Sequence, residues 1–229
     1  MHPGRPPASR KNEPLASPKA QAAQAHYDRW AGAYGRSRLL PSLQKKALAE
    51  LRPRAGDRVL DVACGAGALV VDVAPRVERA VGVDLSDGML QIARSRLLAG
   101  PDAHRLANVE FLLGPSDALP FDDGTFTALV CTTALHHFPD PQRSIDEMAR
   151  VLEPGGRLVI GDACRDSPAT KLADPLYRRF EAGHVGLQRK LDIEAMLARA
   201  GLQVTSSRHL WLHIYALVGA ERPGSENPR

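Results

Sequence analysis

The chain has 229 residues, of which 44% are hydrophobic and 24% charged, and its formal net charge is +4 at pH 7. This length and apolar content suffice for the core of one domain and leave no room for a separate substrate domain. No apolar run of the sequence approaches the ~18 residues of a membrane-spanning helix, so no membrane span is predicted.

Most of the excess positive charge lies in the first 19 residues. This segment is rich in proline, poor in large apolar residues, and carries four basic side chains against Glu13. We predict that residues 1–19 form a disordered, solvated tail, because they cannot bury enough apolar surface to offset the entropy lost on ordering. The alternative is a tail that binds an acidic partner. The remaining charge is nearly balanced, so the pI near 9 does not indicate a nucleic-acid-binding face.

Three cysteines, Cys64, Cys131 and Cys164, are far apart in the sequence. Their odd number and the absence of a Cys-x-x-Cys pair predict neither a disulfide framework nor a metal site. We therefore expect reduced thiols, a cytoplasmic protein and no metal.

Residues 20–57 are predicted to form an N-terminal helical cap, interrupted at Gly32, Gly35 and Pro41. Apolar residues in its second half recur at helical spacing, which predicts a helix that packs on the rest of the domain. They are Leu43, Ala47, Leu48 and Leu51.

The most informative stretch runs from Val59 to Gly67, with the sequence Val-Leu-Asp-Val-Ala-Cys-Gly-Ala-Gly. Its apolar start predicts a buried strand, its two glycines a sharp turn, and Ala68 to Ala74 a helix. A nucleotide can lie against bare backbone N–H groups where a strand passes into a helix in this way. Asp84 follows a second apolar strand at the distance from the glycines that suits a contact with ribose hydroxyls.

The glycine pattern alone leaves alternatives open. A nicotinamide dinucleotide site favours glycine or alanine at the third motif position, where this chain has Val70. A strand, turn and helix in which the glycines serve only the turn is the other alternative.

Short strands and helices alternate from Arg58 onward, which predicts a parallel sheet covered on both faces. Ser86 is predicted to be the N-cap of a helix, and Gly155-Gly156 to form the turn before a strand. The predicted elements after the first unit are strand Ala80–Val83, helix Ser86–Ala99, strands Val109–Leu113 and Thr125–Thr132, helix Pro141–Leu152 and strand Arg157–Gly161.

The last third of the chain departs from this alternation. Residues 163–190 are polar, contain a short amphipathic piece and are predicted to be an inserted lid. A helix is predicted over Asp192–Ala200. Strands are predicted over Leu202–Ser206 and Leu210–Val218, and too few residues separate them for a crossover helix, so they should pair antiparallel. The predicted domain spans residues 20–220, with a disordered C-terminal tail over 221–229.

Several motifs together resemble the class I S-adenosylmethionine-dependent methyltransferases. The stretch around Asp61 resembles their motif I, with Ala63 in place of the first glycine. This departure is mild, because alanine tolerates most backbone angles other than φ > 0. Further similar motifs follow in the family's order between about residues 27 and 220: Val81 to Ser86 with Met89, Ala118 to Phe126, Leu135 to Phe138, and Arg150 to Gly156. His26 to Tyr34 is similar to the N-terminal segment of the ubiquinone and menaquinone biosynthesis enzymes.

The resemblance implies an α/β fold, a doubly wound seven-stranded sheet that is mostly parallel with its last strand antiparallel. It implies S-adenosylmethionine as cofactor, with Asp61 near its amino end, Asp84 on the ribose, and Leu85 and Met89 on the adenine. An aspartate that the family often has on the adenine side is Pro115 here, so Ser116 or Asp117 would replace it. The implied cofactor-binding residues are Tyr34, Asp61, Ala63, Gly65, Gly67, Asp84, Leu85, Met89, Ser116, Asp117 and Thr132.

His136 and His137 follow the predicted fourth strand, at the edge where ligands bind in open α/β sheets. A histidine there suits removal of a proton from an acceptor, and we predict His136 as the base or as the residue that orients the acceptor. The alternative is a purely structural His-His pair. Five further candidates cannot be ranked from the sequence: Asp162, Tyr177, Arg178, His184 and His209.

Cys131 to Ala134 lacks the motif with which related enzymes methylate amines of nucleic-acid bases, and no basic and aromatic stripe is present. The sequence therefore favours methyl transfer to oxygen, nitrogen or carbon of a small molecule, with no nucleic-acid partner. Two other functions remain open: a cofactor-binding protein of the same fold without catalysis, and a nicotinamide-dependent oxidoreductase. The oligomeric state is not indicated by the sequence.

Overall fold

The computed structural model describes residues 39–99, 107–180 and 184–224. The predicted tail over residues 1–19, the first part of the predicted cap with Tyr34, and most of the predicted C-terminal tail lie outside these residues. Among the helices of the described ranges, none has both the length and the apolar character needed to cross a membrane.

Strands and helices alternate through the first five strands, except that the third and fourth strands are joined by a loop, as the sequence predicts. The elements are α1 (Leu39–Leu51), β1 (Arg58–Val62), α2 (Ala68–Val73), β2 (Arg79–Asp84), α3 (Asp87–Ala99), β3 (Val109–Leu113), β4 (Phe126–Thr132), α4 (Pro141–Val151), β5 (Leu152–Ala163), α5 (Pro168–Phe180), α6 (Lys190–Arg199), β6 (Gln203–Leu210) and β7 (Tyr215–Glu221).

The seven strands form one sheet in the order β3-β2-β1-β4-β5-β7-β6. Strands β1 to β5 pair in parallel, and β7 lies antiparallel between β5 and β6. This arrangement confirms the predicted fold class, including the reversed last strand. The strand order changes direction between β1 and β4, so the carboxyl ends of these two strands flank the position where open α/β sheets bind ligands.

Both faces of the sheet are covered by helices. Val59 belongs to an apolar cluster with buried residues of α1, α2 and α3, whereas the adjacent Leu60 belongs to a cluster with α4 and α6. Successive side chains of a strand point to opposite faces, so each central strand contributes to both clusters and reads as a continuous apolar run. The four apolar residues predicted for the packed face of the cap helix are all buried in α1.

Two predicted boundaries near the ends of the described chain are wrong. Pro41 does not interrupt the cap helix, because it is the third residue of α1 and the first turn does not require its N–H. The last strand was predicted over Leu210–Val218, but Leu210 ends β6 and β7 begins at Tyr215. Residues 211–213 form the turn, with φ values of 45°, 56° and 66°.

Two smaller differences concern β5 and α6. The fifth strand begins at Leu152, before the Gly155-Gly156 pair, because Leu152 already pairs with Phe126 of β4. Helix α6 begins at Lys190, and Gly201 follows its end with φ 77°, the left-handed conformation that closes many helices. The Ser86 N-cap is confirmed, since its Oγ accepts a hydrogen bond from Met89 N at 3.1 Å.

All three cysteines are buried and free. Burial is the main cause that raises the pKa of the Cys64 and Cys131 thiols well above their usual value and the pKa of Cys164 to about 12. These thiols are therefore uncharged at neutral pH.

A buried ion pair fixes the amino-terminal edge of the sheet. Asp57 is 4% exposed and accepts hydrogen bonds from Arg54 N, Thr127 Oγ1 and Arg157 Nη2, the last at 2.6 Å. Arg157→Ala is expected to lower the free energy of unfolding by about 3–5 kcal/mol, because it leaves a buried carboxylate without its cation. Urea denaturation measures the change.

The matched control for this variant is Arg76→Ala, which removes an exposed ion pair with Asp72. Its expected cost is below about 1 kcal/mol. Equal effects of the two substitutions would contradict the structural role of the Asp57 to Arg157 pair.

Candidate functional site

The loop between β1 and α2 has three residues with positive φ: Ala63 at 60°, Gly65 at 52° and Gly67 at 69°. The two glycines thus occupy the turn predicted for them. The expectation that Ala63 is a mild departure is wrong in one respect, because its backbone adopts the left-handed conformation that glycine takes without strain. An alanine in this conformation costs roughly 1–2 kcal/mol.

Gly67 also has a packing reason to be glycine. A Cβ atom on this residue would lie 2.7 Å from Ala93 Cβ of α3 and 2.7 Å from the ring of Phe111 in β3. The close approach holds α2 and the glycine loop against their neighbours. For Gly67, the turn and the packing together account for the residue without a ligand.

Asp84, at the end of β2, lies directly against the glycine loop. Its Oδ2 accepts a hydrogen bond from Gly65 N at 2.7 Å, and its Oδ1 accepts one from Ser86 N at 2.9 Å. The predicted ribose-binding carboxylate and the predicted glycine turn are therefore in direct contact, although they are 19 residues apart in the sequence.

Asp61, in the middle of the site, is a buried carboxyl group whose charge nothing in the described residues neutralises. Its residue is 2% exposed, and its Oδ1 has no hydrogen-bond partner there. Burial, reinforced by the neighbouring Asp84, raises the pKa of the Asp61 carboxyl well above its usual value. Such a group binds a cation or a hydrogen-bond donor well, because either relieves the cost of its burial.

The residues predicted for the adenine side line the same edge. Met89 is 1% exposed and packs in the core, whereas Leu85 is only partly buried. Ser116 Oγ lies 2.9 Å from Ser144 Oγ, and the backbone oxygen of Asp117 accepts a hydrogen bond from Arg143 Nε at 3.1 Å. The loop that carries Ser116 and Asp117 is thus held by α4.

Thr132 ends β4 and is 6% exposed. The following residue, Thr133, was not predicted as part of the site, yet it is unusual in two ways. Its φ is 52°, which is rare for a β-branched residue, and its buried Oγ1 has no hydrogen-bond partner in the described residues. Nothing in the sequence marks Thr133, because threonine gives no signal for positive φ.

His136 lies beyond the end of β4 and is held by Asp162 of β5. Its Nδ1 is 2.5 Å from Asp162 Oδ1, and its backbone N–H donates to Oδ2 at 3.0 Å. Ala163 N donates to the same carboxylate at 2.7 Å, and the Asp162 side chain is 2% exposed. A buried carboxylate that fixes one ring nitrogen of a histidine determines which nitrogen faces a substrate.

Two more imidazoles surround His136. The ring centroids of His137 and His184 lie 3.9 Å and 5.4 Å from its own. His184 comes from the segment after α5, and its Nε2 lies 2.9 Å from Asp174 Oδ1. Burial opposes ionisation of Asp174, but hydrogen bonds from His184 and Leu187 hold the pKa of its carboxyl below the usual value.

The remaining candidates are sorted by their contacts. Tyr177 stands near this cluster, with its ring centroid 5.7 Å from that of His184. Arg178 Nε donates to Asp174 at 3.0 Å, which gives the arginine a partner inside the predicted lid. His209 lies elsewhere, 2.9 Å from Asp166. The structure therefore brings Asp162 and His184 to His136 and leaves His209 with a partner of its own.

Asp174 was not among the predicted residues. It lies in a polar segment whose composition gives no indication that one of its carboxylates is buried, and only the folded position of α5 brings it to His184.

Comparison with known proteins agrees with this geometry. Residues 60–160 match the family described as a methyltransferase domain. Over 150 residues the chain is 37% identical to a demethylmenaquinone methyltransferase of Clavibacter sepedonicus, covering 63% of this chain and 59% of that enzyme. The chain is thus similar to class I S-adenosylmethionine-dependent methyltransferases of the ubiquinone and menaquinone type. It covers less than two thirds of the length of this relative.

Solved structures are similar to this chain over most of its length. The YcgJ protein of Bacillus subtilis superimposes with a TM-score of 0.65 at 29% identity, covering 74% of this chain and 73% of that one. A geranyl diphosphate C-methyltransferase of Streptomyces coelicolor gives a TM-score of 0.73 at 18% identity, with 90% and 98% covered. At that identity the second similarity shows the fold alone. The family and the antiparallel β7 together disfavour the nicotinamide alternative.

Proposed function

We propose that this chain is a methyltransferase that transfers the methyl group of S-adenosylmethionine to a small-molecule acceptor. The observation that carries the proposal is Asp61, a buried carboxyl group with no neutralising partner among the described residues, next to the contact between Asp84 and Gly65. The amino end of the cofactor is a cation with N–H donors, so it would satisfy Asp61. The unpartnered oxygen therefore fits the cofactor that the family uses.

The other predicted residues fit the rest of the molecule. Asp84, at the end of β2, would accept hydrogen bonds from the ribose hydroxyls. The partly buried side chain of Leu85 would contact the adenine. Ser116 and Asp117, held by α4, would take the edge of the ring where Pro115 offers no side-chain hydrogen bond. Tyr34 stays a predicted contact outside the described residues.

When bound, the cofactor supplies an electrophilic methyl group, so the protein mainly has to align the acceptor and exclude water. We infer that His136 faces the acceptor, as base or as orienting group. Asp162 fixes its Nδ1, so Nε2 is the ring nitrogen that would face an acceptor at the carboxyl edge of the sheet. Asp162 thus acts through His136 as a positioning residue.

The acceptor is proposed to be a small molecule, methylated on oxygen, nitrogen or carbon, and the protein is proposed to act in the cytoplasm without a nucleic-acid partner. The name of the Clavibacter sepedonicus relative makes demethylated quinones the first acceptors to test. Phenols and amines are the next acceptors to test.

The experiment that tests the cofactor is calorimetric titration of the full chain with S-adenosylmethionine and, separately, with NADH. We expect micromolar binding of S-adenosylmethionine and none of NADH. Asp84→Ala should weaken S-adenosylmethionine binding by about 10- to 100-fold, because hydrogen bonds to a charged group contribute about 1.5–3 kcal/mol each.

Asp87→Ala is the matched control. Asp87 begins α3 only three positions later, is exposed, and contacts Gln91 and Arg94. Its removal should leave the affinity unchanged. The proposal fails if S-adenosylmethionine does not bind, or if Asp84→Ala binds it as tightly as the wild type does. Binding without methyl transfer to any acceptor tested would favour the non-catalytic alternative.

A further inference from the structure

Three histidines converge at the carboxyl edge of β4, and we call His136, His137 and His184 the histidine cluster. Each offers a ring nitrogen within 4.8 Å of those of the other two. The centroids of His137 and His184 are 6.0 Å apart, and both rings lie closer than that to His136. Three imidazoles at these distances are an unusual group of neighbours, because any two protonated rings would repel each other.

In two of the three rings, one ring nitrogen contacts a buried carboxylate. Asp162 engages Nδ1 of His136, and Asp174 engages Nε2 of His184, and both aspartate side chains are 2% exposed. Metal-binding histidines almost always donate their other ring N–H to a carboxylate or carbonyl, which fixes the tautomer and orients the ring. In each ring the nitrogen opposite the carboxylate is therefore the ligand candidate, Nε2 of His136 and Nδ1 of His184.

His184 supplies an independent observation. Its side chain is 2% exposed, and its Nδ1 has no hydrogen-bond partner in the described residues. In the neutral tautomer whose Nε2–H donates to Asp174, Nδ1 carries a lone pair. A buried lone pair without a donor is unfavourable, and a metal cation satisfies it.

The segment that carries His184 is tied to His136 through the backbone. Val185 N and Gly186 N both donate to the carbonyl oxygen of His136, at 2.9 Å and 3.2 Å. Leu187 N donates to Asp174 at 2.8 Å. The histidine cluster is thus built by specific contacts around each ligand candidate, which is the support that a metal site needs.

We propose that the histidine cluster binds one divalent cation of the zinc type, through Nε2 of His136, Nδ1 of His184 and one ring nitrogen of His137. Three neutral histidines and one open position are the ligand set of many catalytic zinc sites. Tetrahedral bonds of about 2.0–2.1 Å require nitrogens about 3.4 Å apart. The ring nitrogens then have to approach one another by up to about 1.4 Å from the 4.8 Å limit of their present separation, which side-chain rotations can supply.

The fourth coordination position of the cation would take an oxygen of the methyl acceptor. This role rests on the proposed function, but the binding of the cation itself does not. A hydroxyl bound to the cation loses its proton to water more readily. The resulting oxyanion, or a carbon conjugated to it, forms a bond to the methyl carbon. The carbon–sulfur bond breaks, and its electron pair stays on sulfur as S-adenosylhomocysteine. His136 then orients the acceptor through the cation.

The test uses the full chain after treatment with a chelator and dialysis. Calorimetric titration with Zn²⁺ is expected to show one site per chain. His136→Gln, His137→Gln and His184→Gln should each weaken Zn²⁺ binding at least about 100-fold, and Asp174→Asn about 10- to 100-fold. Titration with Co²⁺ should give the intense visible absorption of tetrahedral coordination in the wild type and not in the three histidine variants.

Two controls leave the histidine cluster intact. His213→Asn changes an exposed histidine whose φ of 66° asparagine tolerates. Cys164→Ser disrupts the second group of possible ligands, Cys164, Asp166 and His209. Both variants should bind Zn²⁺ within about twofold of the wild type.

Several results would overturn the cation site: no binding at one equivalent, binding that persists in His137→Gln and His184→Gln, or loss of binding in Cys164→Ser. Circular dichroism checks that each variant is folded, and if His184→Gln is not, His137→Gln decides the result. Titration with S-adenosylmethionine, with and without Zn²⁺, separates the two proposals. Zn²⁺ binding without cofactor binding would sink the proposed function alone, and the reverse result would sink the cation site alone.

Discussion

Asp61→Asn is expected to abolish measurable S-adenosylmethionine binding and to stabilise the protein without ligand. The carboxyl group is buried beside Asp84, and the pKa of the Asp61 carboxyl lies well above its usual value because of that burial. An amide of the same shape cannot neutralise the cofactor's ammonium group, so we expect at least a 100-fold loss of affinity. The same amide carries no charge to desolvate.

The stability effect should depend on pH in a defined direction. An unfolded aspartate ionises near pH 4, whereas the folded Asp61 keeps its proton to higher pH. Between these two pKa values the folded state binds more protons, so the stability of the wild type falls as pH rises. Asp61→Asn lacks this pH-dependent loss of stability. Its melting temperature should therefore match that of the wild type near pH 4 and exceed it at pH 7.

Thermal denaturation with and without the cofactor measures both effects. A domain of this size gains about 2–4 °C for each kcal/mol. At a cofactor concentration 100 times the Kd, the wild type should gain about 2.7 kcal/mol and Asp61→Asn nothing. Asp72→Asn, which changes an exposed carboxylate of α2, is the matched control. Ligand stabilisation retained in Asp61→Asn would contradict the assignment of Asp61.

Cofactor binding should also release protons from the wild type. If the ammonium group ionises Asp61, up to one proton leaves for each molecule bound at a pH below the raised pKa. Titrations in two buffers with different ionisation enthalpies count these protons. Binding by the wild type without proton release at a pH below the raised pKa would contradict the ionisation of Asp61 by the cofactor.

The part of the fold set by local chemistry is predictable from the sequence. Positive φ favours glycine, so Gly65 and Gly67 mark the turn after β1, and a serine before an amphipathic stretch marks the N-cap of α3. Parallel strands covered on both faces read as apolar runs, which is why β1 to β4 are predicted nearly at their observed limits. The reversed β7 follows from the short connection that precedes it.

Errors arise where tertiary contacts override local preference. Residues 211–213 include tryptophan, which favours strands, and leucine, which is apolar, yet they form the turn between β6 and β7 with positive φ. No glycine or asparagine marks the reversal. Ala63 likewise adopts a conformation that its side chain disfavours, and the contact between Gly65 and Asp84 next to it indicates that the loop geometry is set by the site.

The histidine cluster could not be predicted for a similar reason. His136 and His137 are conspicuous as a pair at a strand end, but His184 lies 48 positions after His136 in a segment without a motif. Hydrogen bonds from residues 185 and 186 to His136, and the contact of His184 with Asp174, bring it into place. A cluster assembled by a long insertion leaves no spacing signal in the sequence, so His184 could not be ranked from the residues alone.

His136→Ala is expected to lower kcat for methyl transfer by about 10²- to 10⁴-fold, the contribution of a positioned acid–base or orienting group. The chain offers a direct test of the Asp162 contribution, because a second histidine and aspartate pair of similar length, His209 and Asp166, lies away from the site. Asp162→Asn should lower kcat in the same sense, whereas Asp166→Asn should leave it within about threefold. Methyl uptake from labelled S-adenosylmethionine by the acceptor found in the screen measures all three.

Asp162 is buried and accepts three hydrogen bonds, so Asp162→Asn should also lower the melting temperature, and a loss of activity alone would not establish its role. Its role is established by comparing the change in kcat with the change in cofactor affinity. A positioning residue for the reacting group lowers kcat and leaves cofactor affinity intact, whereas general damage to the carboxyl edge of the sheet weakens S-adenosylmethionine binding as well. Unchanged kcat in both His136→Ala and Asp162→Asn, with normal acceptor KM, would mean that transfer depends on alignment by other residues and that the histidine cluster has no part in it.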